Sequence, residues 1–292
     1  MNRFPLLASL CLVGASMATT ANASLIGQFG FRIESGFTSF QPAGVAGSEP
    51  NAYLTTSNDV LPLQGGGTVN LPFATADTRL DWGDNGTSGL DIDEQTGSGS
   101  FGKAVGNVTT NGPAITVNNI THRNQEIIGD ELLTDATLFT VLFLEPGGMG
   151  VSTETAVPAL VFEIDFLETP NGSQDAALCG PTVGNCWDIF VLGSTQAGVD
   201  VTSGRFSQVF PIDDFVYNLT VFLPNLTALN DTQCTAAGAA SGCYGWTTEE
   251  GMNTTETVAL QISARPVDVP PVLALLGLGL GLLGWRQHRA AA

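Results

Sequence analysis

The sequence predicts an all-β protein, a two-sheet antiparallel β-sandwich of jelly-roll type with about ten to twelve strands; a closed barrel is the alternative. Short β-branched or aromatic runs recur between stretches rich in Gly, Thr, Asn and Ser, and no βα unit repeats along the chain. Phe162-Glu163-Ile164-Asp165-Phe166 alternates strictly, which places three apolar side chains on one face of a strand and two carboxylates on the other. In contrast, Leu138 to Leu144 is apolar at nearly every position and reads as a central strand buried on both faces.

Taken in order, residues 1–23 have the layout of a secretory signal peptide: Arg3, an apolar run from Leu6 to Val13, and Ala21-Asn22-Ala23 with the small-residue spacing of a cleavage site before Ser24. Cys11 would leave with that segment. Residues 24–266 suffice for one domain, since sandwiches of this length form single units. Strands are expected over Gly30 to Ile33, Thr68 to Phe73, Ala114 to Thr121, Trp187 to Leu192, Arg205 to Phe210, Asp214 to Phe222 and Val258 to Ala264, with Asp231 to Ala240 the single weakly helical stretch.

Charge bounds the partners. Without Arg3, Arg286 and Arg289 the chain carries six basic residues against 28 acidic ones, a net charge of about −22. Such a surface repels nucleic acid and other polyanions; it suits cations, or simply solubility outside the cell. Four cysteines remain after Cys11, in two close pairs, Cys179 with Cys186 and Cys234 with Cys243. Even number and export favour disulfides over metal or redox chemistry. Three pairings are possible, and the local pairs in Gly- and Ala-rich stretches point to two small loop staples.

Two internal stretches hold candidate functional residues. Val117 to Ile128 includes Thr121-His122-Arg123-Asn124, and His122 is the single histidine ahead of His288 near the C-terminus. On an extended strand His122 and Asn124 share one face, Thr121 and Arg123 the other. A structural role, with Thr121, His122 and Asn124 satisfying backbone groups at a strand end, competes with ligand contact and with catalysis through His122. No serine lies in a G-x-S-x-G elbow. The second stretch is acidic: Asp81, Asp84, Asp91 and Asp93 are calcium candidates, since that ion takes six to eight oxygens. They miss the EF-hand spacing, and turn chemistry explains them equally well. No other cofactor is expected. Trp82 and Trp246 are either sugar-stacking platforms or core aromatics.

The last stretch, Val267 to Arg289, is a proline-marked break, an apolar run and a basic end. Its fourteen uncharged residues from Val272 to Trp285 would make a helix of roughly 21 Å, short of the roughly 30 Å hydrocarbon core. Val269-Pro270-Pro271 followed by this run and by Arg286 and Arg289 resembles the PEP-CTERM sorting signal of Gram-negative bacteria, where Val-Pro-Glu-Pro is usual. Thr121-His122-Arg123-Asn124 resembles the motif that names the THxN family of PEP-CTERM proteins. That likeness continues in Asp81-Trp82-Gly83, Phe166-Leu167-Glu168-Thr169-Pro170-Asn171, Asp188 to Leu192 and Gly242-Cys243-Tyr244-Gly245-Trp246-Thr247-Thr248. The resemblance implies signal peptidase and exosortase as processing partners, and a precursor anchored transiently in the inner membrane. The mature protein would then reside at the cell surface or in the extracellular polysaccharide matrix of a biofilm. It implies a location and a β fold, with no assigned biochemical activity. A non-enzymatic surface or matrix protein is therefore expected; a calcium-assisted glycan-binding or adhesion module and a hydrolase using His122 are the alternatives.

Overall fold

The computed structural model describes residues 24–42, 44–83, 88–93, 102–127, 132–169, 187–194, 199, 201–202 and 204–267. The expected signal segment, the tail beyond Val267 with its sorting motif, Asp84, Cys179 and Cys186 lie outside them. No helix among the described residues is long and apolar enough to cross a membrane.

In chain order the elements are β1 (Gln28–Gln41), β2 (Ala46–Pro50), α1 (Ala52–Thr56), β3 (Val60–Pro62), β4 (Thr68–Asn70), β5 (Asp77–Trp82), β6 (Ser88–Asp93), β7 (Lys103–Thr109), β8 (Ile115–Arg123) and β9 (Asp135–Pro146). There follow β10 (Thr155–Ala156), β11 (Leu160–Leu167), β12 (Trp187–Gly193), β13 (Arg205–Ile212), β14 (Phe215–Phe222), β15 (Thr227–Ala228), α2 (Asp231–Ala236), β16 (Tyr244–Glu249) and β17 (Asn253–Pro266). The protein is mostly β, as expected. The expected pair of separate sheets takes a different form: one continuous antiparallel sheet in the order β13-β14-β17-β8-β6-β5-β1-β9-β11-β12-β16-β15, with β2, β7 and β10 paired at its side, and a small β3-β4 sheet.

The continuity has a local cause in β1. Along one edge it pairs with β9 from Phe29 to Gln41; along the other, its first half pairs with β7 and Phe37 pairs with Asp77 of β5. Two partners thus share one edge of a 14-residue strand, and the sheet passes through β5 and β6 into a second arm instead of ending. On the opposite edge the β1–β9 ladder shifts register between Phe37 and Ser39, just past the change of partner, and such irregularities increase local bend and twist. At Gly36 a Cβ would lie 2.9 Å from the Ala76 carbonyl oxygen, so glycine permits the close approach of the segment entering β5.

The curl turns the two arms toward each other. Phe29 of β1 lies edge-on to Tyr217 of β14, with centroids 5.2 Å apart, and the Tyr217 hydroxyl accepts from the Ile26 amide at 2.9 Å. Phe162 of β11 meets Phe206 of β13 at 4.8 Å, although these strands sit far apart in the sheet order. The alternating strand behaves as expected, with Phe162, Ile164 and Phe166 inside. The β9 run is buried on both faces: Leu138 and Leu142 point into the space between the arms, while Phe139, Val141 and Phe143 pack under α1 and the β3-β4 sheet. Each such large apolar side chain contributes about 1.5–3 kcal/mol on full burial.

The helical expectation holds in shortened form. Asn230 caps α2 in a box, its side chain accepting from the Gln233 amide while the Gln233 side chain accepts from the Asn230 amide. The helix stops at Ala236, before Gly238 with its φ of 87°. α1 was not expected: five residues without periodicity carry no pattern, and the Asn51 cap is its sequence signal.

Cys234 and Cys243 form a disulfide that ties α2 to the start of β16. With a sequence separation of 9, its removal by Cys234→Ser with Cys243→Ser is expected to cost about 2–3 kcal/mol through lost loop-closure constraint. Denaturant unfolding checks this, and an unchanged midpoint would show that the staple constrains nothing in the unfolded chain.

Candidate functional site

β8 lies between β6 and β17, with His122 opposite Leu90 on one side and Thr254 on the other. Its two-residue alternation divides the Thr121-His122-Arg123-Asn124 stretch as the sequence predicts. Thr121 and Arg123 are on the outer face. The Arg123 guanidinium donates from Nε to Asp91 Oδ2 at 2.6 Å and from Nη2 to Asp81 Oδ1. Arg79 Nε donates to Asp81 Oδ2 at 2.9 Å, and Thr121 Oγ1 to Asp93 Oδ2 at 2.9 Å. Gly89 stands opposite Arg123, where a Cβ would collide with the guanidinium. Burial opposes ionisation of Asp81, yet hydrogen bonds from Arg79 and Arg123 hold its carboxyl below the ordinary value. The structure therefore gives the described members of the acidic stretch, Asp81, Asp91 and Asp93, to arginines and a threonine.

The inner face is different. His122 is fully buried, its ring stacked at 5.9 Å and 19° on Trp82 and edge-on at 5.0 Å to Phe166. Its Nε2 is 3.7 Å from Asp188 Oδ2, beyond hydrogen-bond range, and neither ring nitrogen has a hydrogen-bond partner. The expectation that His122 satisfies a backbone group is thus corrected: aromatic packing holds the ring. Burial, and then the nearby Arg123 charge, pushes the imidazole down to about 3, so it is neutral at physiological pH. Asn124, also fully buried, does serve the backbone: its Nδ2 donates to the Thr248 carbonyl at 2.9 Å, and its amide donates to Met252 at 2.9 Å. Its Oδ1 is left without a partner.

Around these side chains three carboxylates converge. Asp188 of β12 is fully buried; its Oδ1 accepts from the Thr169 amide at 2.9 Å, and its Oδ2 has no hydrogen-bond partner. Glu168, just past β11, accepts from Trp82 Nε1 at 3.2 Å through Oε2 and leaves Oε1 unpartnered. Glu250, in the β16-β17 turn, has neither oxygen hydrogen-bonded. Among the described residues these three are the group whose ligand atoms, one from each, all lie within 4.8 Å of one another. Burial, then their mutual negative charge, pushes the Asp188 carboxyl well above the ordinary value, and burial pushes Glu168 and Glu250 up as well.

Sequence reasoning did not single out Glu168, Asp188 or Glu250 as site residues, yet the signal was present. Glu168 and Asp188 fall inside segments that carried the family resemblance, and Glu250 lies two residues beyond another. Asp81-Trp82-Gly83 supplies the stacking indole, and Thr248 stands opposite Asp188 in the β12-β16 ladder. Trp82 and Trp246 are both buried, Trp246 stacked on Phe190 at 3.7 Å, so neither is an open sugar platform. Between the arms lies a second feature, an apolar cavity whose lining includes Ile92, Leu138, Phe162 and Leu219. Its lining holds no ionisable group. No protein-family model matches this chain, and no curated protein does.

The carboxylates set a pH dependence. Their folded pKa values are raised, so their contribution to stability is fully present below the ordinary carboxylate range and is lost as pH rises through the raised values. His122 acts in the opposite sense below its ordinary 6.5, where the unfolded chain takes a proton that the fold refuses until about 3. Above pH 6.5 His122 is neutral in both states and no longer opposes the carboxylate effect. In chelator-containing buffer the melting temperature is expected to fall from pH 6.5 towards about pH 9, and Asp188→Asn to flatten that fall. A slope identical in the variant would place its origin elsewhere.

Proposed function

We propose that this chain is an exported, non-enzymatic protein of the cell surface or extracellular polysaccharide matrix of a Gram-negative bacterium, sorted through a PEP-CTERM-like tail. The observation that carries the reading is the pairing of a signal-like segment, residues 1–23, with the tripartite tail from Val267 to Arg289, around a strongly acidic β domain. The Cys234–Cys243 disulfide supports it, since such bonds persist in oxidising compartments outside the cytoplasm. The convergence of the THxN-like segments on one buried cluster supports the family reading, because dispersed matches then share a single structural purpose. The domain is read as a jelly-roll-like sandwich whose two layers are the arms of the curled sheet.

The non-enzymatic assignment draws on His122. An imidazole that refuses a proton until about pH 3 is a poor general base at neutral pH, and among the described residues no serine hydroxyl or thiol is hydrogen-bonded to it. The ring is also fully buried against Trp82 and Phe166. In this reading the tail supplies the sorting chemistry: proline favours extended geometry in the residue before it, which would suit Val269-Pro270-Pro271 to a protease cleft, and Arg286 and Arg289 would hold the C-terminus on the cytoplasmic side.

In a host with exosortase the mature protein is expected to end near residues 267–271, and to remain membrane-bound with its tail intact when the enzyme is deleted. Mass spectrometry of the mature C-terminus checks this. Recovery of peptides through Trp285 from the exosortase-positive host would identify the tail as a permanent anchor. Removal of surface polysaccharide should release the mature protein, and full retention would argue against the matrix role.

A further inference from the structure

We propose that Glu168, Asp188 and Glu250 bind one oxygen-preferring divalent cation, of the calcium and manganese class, which ties together the ends of β11, β12 and the β16-β17 turn. The three side chains come from the end of β11, the start of β12 and the β16-β17 turn, and they bring one oxygen each to within 4.8 Å of the others. Three carboxylates at such spacing repel one another, and a fold gains from holding them there when a cation occupies the space between.

An independent observation points to the same ligand. Buried polar atoms almost always find hydrogen-bond partners. Among the described residues fourteen buried side-chain polar atoms have none, and eight of these fall on His122, Asn124, Glu168, Asp188, Thr248 and Glu250. His122 and Asn124 are fully buried, and His122 directs Nε2 at Asp188 Oδ2 across 3.7 Å. Each carboxylate keeps at least one oxygen without a hydrogen-bond partner, and two of the three are oriented by other bonds: Trp82 Nε1 holds Glu168, and the Thr169 amide holds Asp188. These are the supporting contacts that metal ligands characteristically make.

Donor chemistry selects the ion. Carboxylate oxygens, with the Asn124 amide oxygen and Thr248 hydroxyl nearby, suit hard cations, whereas zinc structural sites draw on several thiolates or imidazoles. Among the described residues no cysteine joins this group, and His122 is the imidazole beside it. The site is separate from Asp81, Asp91 and Asp93, whose carboxylates face Arg79, Arg123 and Thr121. It does not depend on export or on the tail.

The test uses the full chain, purified in detergent and stripped with chelator. Titration calorimetry and thermal unfolding are run separately with Ca²⁺, Mn²⁺ and Zn²⁺. One equivalent of Ca²⁺ or Mn²⁺ should bind per chain and raise the melting temperature. Glu250→Gln, a change in a half-exposed turn that leaves the core intact, should weaken binding at least about tenfold, and Asp188→Asn should do the same. Asp91→Asn should leave affinity unchanged. Absence of stoichiometric binding by either hard ion would overturn the proposal. So would wild-type affinity in both Glu250→Gln and Asp188→Asn, or binding of Zn²⁺ alone.

Discussion

The divided edge of β1 is the constraint on which the rest of the structure depends. A strand of 14 residues accepts β9 along one side and must share its other side between β7 and β5. That sharing carries the hydrogen-bonded ladder from one arm into the other, so the two faces of the core belong to a single sheet. The curl then brings the ends of β5 and β8 across to the ends of β11, β12 and β16. Trp82 and Glu168 are hydrogen-bonded although 86 residues separate them in sequence, and Asn124 reaches Thr248 across 124 residues. In a flat sheet in the same strand order these pairs would not meet.

Strand periodicity then sorts polar chemistry onto two faces of β8. Outside, Arg123 is gripped by Asp81 and Asp91 in a partly solvated layer, where ion pairs of this kind contribute modestly. Inside, the same strand sends His122 into an aromatic enclosure, where an unpaired polar group costs about 1–3 kcal/mol. The two faces differ in what offsets their polar groups: the outer carboxylates meet guanidinium groups, whereas the inner ones face one another. Against its own burial, Asp81 is held below the ordinary carboxylate value by its arginines, while burial first, and then the facing carboxylates, raise Asp188 above it.

Much of the fold was legible residue by residue. The alternation at 162–166 and the apolar run at 138–144 announced their burial correctly, because each reports a single strand's relation to its own two faces. The opposite facing of His122 and Arg123 was readable for the same reason. In the acidic stretch, Asp81 and Asp91 are close in sequence and look like an oxygen-rich loop, while β5 and β6 pair with these carboxylates facing Arg79 and Arg123. The carboxylates that do gather come from segments about 20 and 60 residues apart, and no local spacing announces them.

The sequence by itself determined what depends on short-range pattern: a β-rich chain, the side of each strand that turns inward, and the local Cys234–Cys243 loop. These follow from the two-residue period of a strand and from stretches of fewer than thirty residues. Only the tertiary structure decided that the layers form one curled sheet and that Glu168, Asp188 and Glu250 stand together beside His122. The reason is that strand order and curl are set by which edges find partners over long separations, and a site assembled from strand ends exists only once those edges have paired.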